Sequence, residues 1–212
     1  MAKDRLFIEG KIRTFVREEK ARFWTSSEIH VGINDGFRQI AEDINYPKAD
    51  YSGYIASGAY TFSMSSDFIK IDPDSEVIWK DGSGTNVLTP ARLKDIGRHT
   101  MLTATPGTPQ NYFFIKENQL GIYPPSTSGC IVVPIIAEPT HLSSDTDTNE
   151  LTEQCYMADA YWVAWEAFHK DKDPRTASYN ALYNNEINRI KGRFGDMWEI
   201  EYQMTPHEDY LK

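Results

Sequence analysis

Residues 25–54 read TSSEIHVGINDGFRQIAEDINYPKADYSGY, and the fold class turns on the change of pattern inside them. Up to Ile44 the apolar residues Ile29, Ile33, Phe37, Ile40, Ala41 and Ile44 recur at three- and four-residue spacing, the period of a helix with one apolar stripe. Thr25-Ser26-Ser27-Glu28 supplies a cap and an acidic first turn ahead of that stripe. Tyr46-Pro47 stops it, because the residue before a proline avoids the helical region.

From 51 to 140 the helical period is gone. Phe68-Ile69-Lys70-Ile71 and Glu76-Val77-Ile78-Trp79 read as short strands on either side of the turn Asp72-Pro73-Asp74-Ser75, whose two carboxylates are expected only to solvate it. Asp81-Gly82-Ser83-Gly84 is a second turn, and Thr89-Pro90 is expected to open one short helix reaching about Ile96. Tyr112 to Lys116 and Gln119 to Tyr123 flank Glu117-Asn118 as a hairpin. Cys130 to Ala137 reads as a buried strand, and Pro134 within it points to an edge position or a bulge.

Working outward, helical period holds on both flanks. Ile8, Ile12, Phe15, Val16 and Phe23 mark a first helix. Leu151, Cys155, Ala158, Trp162, Trp165 and Phe168 or His169 mark a third. Asp173-Pro174 starts a fourth, lined by Tyr179, Leu182, Tyr183, Ile187, Ile190 and Phe194 and broken at Gly192 and Gly195. A short amphipathic helix is marginal alone, so helices from the two ends must share a core. The expected fold is α+β: a helical bundle from residues 1–50 and 141–195, a β-rich antiparallel insertion over 51–140, and a C-terminal tail from 196 to 212.

A net charge of −9 disfavours tight, non-specific binding of nucleic acid. No stretch approaches a membrane span, and the N-terminus has no apolar core of a signal peptide. Cys130 and Cys155 have no motif spacing, which suggests buried thiols made in a reducing cytoplasm.

Catalytic patterns are thin. The histidines at 30, 99, 141, 169 and 207 form no zinc-binding pair. Gly82-Ser83-Gly84 lacks the lysine of a phosphate-binding loop. Asp145, Asp147 and Asn149 space like the start of a calcium loop, but Glu150 stands where its glycine belongs, so helix capping is preferred. No cofactor, metal or catalytic residue is therefore expected.

The order and spacing of several of these segments resemble the adaptor proteins of short-tailed bacteriophages. The resemblance rests on Trp24 to Ile29 with Ile33-Asn34 and Phe37 to Ile40, and on Tyr60 to Ile69. It rests also on Gly107-Thr108-Pro109 with Tyr112 to Ile115 and Leu120 to Pro124, and on Ile131 to Pro139 with Leu142, Asp145 to Asp147 and Glu150-Leu151. It implies a structural virion protein of the head–tail neck, a ring beneath the portal that is expected to be dodecameric. Such a ring extends the DNA channel without reading sequence and gives the tail a place to attach. The implied partners are the portal protein, further copies of the chain and a tail nozzle or other tail protein, with no membrane. The tail's Met197, Trp198, Ile200, Tyr202 and Met204 would dock on the portal, since buried aromatics dominate interface energy. Trp24, Ile29, Ile33, Phe37, Trp162, Trp165 and Tyr183 would pack the bundle or the contact between subunits. The alternative is a tail-associated module binding a host surface or carbohydrate, with exposed aromatics on the β part.

Overall fold

The structure is a computed structural model that describes residues 3–17, 24–97 and 104–204, with residues 194–204 described by backbone alone. In chain order the elements are α1 (Arg5–Val16), α2 (Ser26–Ile44), β1 (Lys48–Ile55), β2 (Thr61–Ser63), β3 (Phe68–Ile71), β4 (Ile78–Asp81), β5 (Gly84–Val87), β6 (Thr89–Pro90) and α3 (Leu93–Ile96). They continue with β7 (Asn111–Lys116), β8 (Gln119–Tyr123), β9 (Gly129–Ala137), α4 (Thr152–Lys170) and α5 (Thr176–Met204). The architecture is α+β, with helices before and after a β-rich middle. The chain forms two compact units, Met1–Ile44 with Pro139–Lys212, and Asn45–Glu138.

In the helical unit each start has a local cause. Asp4 accepts from the Phe7 amide at 3.0 Å. Thr25 and Glu28 exchange side-chain-to-backbone bonds, a capping box that leaves fewer orphan amides at the start of α2. Asn149 accepts from the Leu151 and Thr152 amides ahead of α4, so the acidic loop does cap a helix. Asp173 accepts from the Arg175 amide at 2.8 Å ahead of α5.

Two helix ends differ from expectation. The first helix stops at Val16 rather than near Phe23, because Arg17 is left-handed at φ 58° and its amide bonds back to Arg13 and Thr14; residues 18–23 lie outside the described residues. The last helix is not broken at Gly192 or Gly195 but runs to Met204. A glycine costs a helix only about 1 kcal/mol relative to alanine, which an established helix tolerates.

Helix α4 packs against α1, α2 and α5. Most of its buried side chains are small, with Ala158, Ala160, Ala164 and Ala167 among them, so its neighbours approach closely. Ile8, Ile12, Ile33, Phe37, Ile40 and Leu142 fill the space between the helices.

The β unit folds as two sheets, β1-β9-β4-β5 with β3 also on β9, and β2-β8-β7-β6. Pairing is antiparallel except between β6 and β7. Trp79, Ile131, Val133 and Ile135 of one sheet, with Val77 just ahead of β4, share a core with Phe62, Leu120 and Ile122 of the other. At one corner β1 gives way to β2, and Gly53 leaves room for the Phe62 ring that a Cβ would strike. The expected hairpin is β7 and β8, with Phe113 opposite Gly121.

Three local expectations fail here for stated reasons. Thr89-Pro90 is a strand, not a helix start: the Thr89 and Ala91 amides donate to Gln110 and Tyr112, and Pro90 between them needs no donor. Pro134 is not at an edge, because β9 is central, with β1 on one side and β4 and β3 on the other. The Pro134 carbonyl accepts from the Asp72 amide, so its absent N–H also faces that side, between the stretch paired with β4 and the stretch paired with β3. Asp72 does not solvate its turn: it is 1 % exposed and accepts from Ser75 Oγ at 2.7 Å, with Lys48 Nζ 2.9 Å away. Burial pushes its carboxyl up, and those partners more than reverse the push.

Candidate functional site

The helical unit carries an open, largely apolar groove of about 240 Å³ where α1, α2 and α4 meet. Its floor is the α2–α4 seam, where Gly32 lies against Val163. Ile12 and Val16 of α1 form one wall, and Trp24 and Trp162 bracket the opening. Val31 stands at the rim with 58 % of its surface exposed. Among the described residues Glu28, Asp35 and Glu166 also line the groove, against a single cation, Lys170, whose Nζ lies 5.6 Å from the Trp24 ring centre. The groove is therefore an apolar slot with a net acidic border.

The residues expected to pack the bundle or the subunit contact divide into two sets. Ile29, Ile33, Phe37 and Tyr183 are buried within the unit. Tyr183 donates to Asp43 at 2.5 Å, and burial followed by that bond raises its hydroxyl above the usual tyrosine range. Trp24, Trp162 and Trp165 are half-buried, and the last two meet edge to face at 6.3 Å. The side chains of Met197, Trp198, Ile200, Tyr202 and Met204 lie outside the described residues, although their backbone belongs to α5. Residues 205–212 are outside altogether.

Two polar features were not anticipated from the sequence. Glu9, on the inner face of α1, accepts from Arg13 Nε at 2.8 Å and Ser26 Oγ at 2.9 Å, and lies 2.7 Å from His30 Nε2. Burial pushes the Glu9 carboxyl up, but the bonds from His30, Arg13 and Ser26 hold it below the usual glutamate range. The second feature is Asp159 of α4, which is fully buried, with no hydrogen-bond partner for either carboxylate oxygen among the described residues. It faces Gly36 of α2, where a Cβ would overlap Asp159 Oδ1. Burial raises the Asp159 carboxyl well above the aspartate range. Its sequence signal is faint: an acid between Ala158 and Ala160, four residues beyond buried Cys155. The Cys155 thiol is itself pushed up to about 12, first by burial and then by Asp159 and Glu186.

Among the described residues no group of three or more His, Cys, Asp or Glu is placed to hold a metal ion. Asp147 of the acidic loop accepts instead from the Ser143 and Ser144 amides at 2.7 Å. Among the same residues no helix is long and apolar enough to cross a membrane. The groove can bury an apolar side of another chain, and its border selects for positive charge around that side.

A family model described as SU10 adaptor protein matches residues 7–205 of the chain. No curated protein matches it.

Proposed function

The chain belongs to the SU10 adaptor protein family, a head-to-tail adaptor family of structural rather than catalytic phage proteins, and from that membership we propose how this connector works. Twelve copies form a ring beneath the portal, continue the DNA channel and present a platform to a tail nozzle or other tail protein. The ring lies in the neck of the virion. The observation that carries the reading is the family match across nearly the whole chain.

Residues 196–212 dock on the portal, with Met197, Trp198, Ile200, Tyr202 and Met204 as anchors. Helix length supports this. Helix α4 has 19 residues and α5 has 29, about 28 Å against about 43 Å at 1.5 Å per residue. The antiparallel neighbour is therefore too short to accompany the last turns of α5. Docking through this segment ties assembly to the portal's presence. A net charge of −9 suits a channel wall that lets DNA slide without holding it.

The test is to mix the purified chain with the portal ring of the same phage and weigh the product by light scattering, with electron microscopy of the peak. A stoichiometric ring-on-ring complex, lost on deletion of residues 196–212, is the expected result. Absence of a complex at every ratio overturns it. Glycan arrays then become the next experiment, because Tyr54 and Phe114 of the β unit are exposed, as a carbohydrate-binding module requires.

A further inference from the structure

The acidic groove between α1, α2 and α4 has one wall in common with a second surface, and the relation between the two suggests what fills it. The inward side of α1 carries buried Ile8 and Ile12, with Ile12 and Val16 lining the groove. The outward side is exposed at Leu6, Gly10, Lys11, Thr14 and Arg17. Leu6 alone leaves 57 % of its surface in water, an apolar side chain with basic Lys11 on the same helix and Arg17 at its C-terminal cap. The groove offers the complement: exposed Val31 and half-buried Trp24 and Trp162 line it, and so do the acids Glu28, Asp35 and Glu166.

We propose that the outward face of α1 from one subunit occupies this groove in the next subunit. The proposal rests on the ring reading and names its contact surfaces. Two features support it. The charges are opposite, which matters because copies carrying −9 each repel unless a local pairing opposes the repulsion. The two surfaces also lie on opposite sides of one helix. A copy seated in the groove thus presents its own groove to a third, which is a head-to-tail contact that propagates around a ring rather than closing as a two-fold dimer. Leu6 is the apolar key against Val31 and Trp162, and Lys11 and Arg17 meet the acids at the border.

The experiment uses the full chain on the portal ring. In a Cys130→Ser background, Leu6→Cys and Val31→Cys are introduced together and oxidised; buried Cys155, with its thiol near 12, does not compete at neutral pH. The expected product is a ladder of dimers, trimers and higher species, with neither single cysteine variant passing beyond dimer. Adding Asp35→Lys with Glu166→Lys abolishes the ladder, as does adding Lys11→Glu with Arg17→Glu. Mixing those two charge variants restores it, because each then offers the other a complementary face.

A portal-bound ring that gives no ladder overturns the surface assignment and leaves the ring intact. So do charge variants that cross-link as readily as the parent. Failure of the unmodified chain to assemble on the portal overturns the ring reading and this inference with it.

Discussion

Replacing Asp159 by asparagine keeps the shape of the side chain and removes its ability to ionise. The carboxyl is fully buried beside Gly36 with neither oxygen paired, so ionisation there goes without compensating hydrogen bonds. The folded chain therefore keeps a proton that the unfolded chain releases above its ordinary value of 3.8. A raised carboxyl contributes stability that is fully present below that value and is lost as pH climbs toward the folded-state value. The loss runs at about 1.4 kcal/mol per pH unit for as long as the folded chain keeps the proton. Asparagine carries no such slope. At about pH 4 the two chains are expected to be of similar stability, because each buries one neutral polar group. The variant then becomes progressively the more stable as pH rises. Urea unfolding across the range, followed by the helical circular-dichroism signal, reads the difference directly. A difference that stays flat with pH, or a variant less stable at every pH, would refute the claim that this carboxyl is buried and unpaired.

Gly36→Ala tests the same seam from the other side. Alanine normally improves a helix by about 1 kcal/mol over glycine, but here its methyl group meets Asp159 Oδ1 and the Trp162 ring. The expected outcome is a loss of about 1–3 kcal/mol in thermal unfolding, the opposite sign. Pro134→Ala should change stability by less than about 1 kcal/mol, since the added N–H faces the junction between β4 and β3 and removes no ladder bond. Asp173 is held down at about 2 by the Arg175 side chain and then its amide. Its contribution to the start of α5 is present above the unfolded value of 3.8 and disappears as pH falls toward 2, which the Arg175 amide resonance should follow.

Features set by short stretches of chain were legible in the sequence. The stripe from Ile29 to Ile44, the cap at Thr25, and the hairpin either side of Glu117-Asn118 all formed where residue spacing indicated, whereas the helix expected to open at Asp173-Pro174 begins two residues later, at Thr176. Their determinants lie within one helical turn or one two-residue turn, so neighbouring residues suffice to specify them. The candidate site was legible only in part. Trp24 and Trp162 were singled out, but the groove between them needs Ile12 and Val16 from α1, far away in sequence.

What the tertiary structure decided was which side chains water can reach and which strands find partners. Pro134 looks like an edge residue until β9 is seen to be shared by β1, β4 and β3, with the proline at the seam between two of them. Thr89-Pro90 has the composition of a helix start, yet β7 supplies a parallel neighbour whose hydrogen bonds outweigh that preference. Asp72 and Asp159 are both buried acids, one satisfied by Lys48 and Ser75 and the other set against Gly36 with neither oxygen hydrogen-bonded among the described residues. Periodicity reports which side of an element is apolar. Whether a carboxylate on that element meets a lysine, a glycine or water depends on segments far away in sequence, and burial multiplies the energetic consequence because no solvent remains to make up for a missing partner.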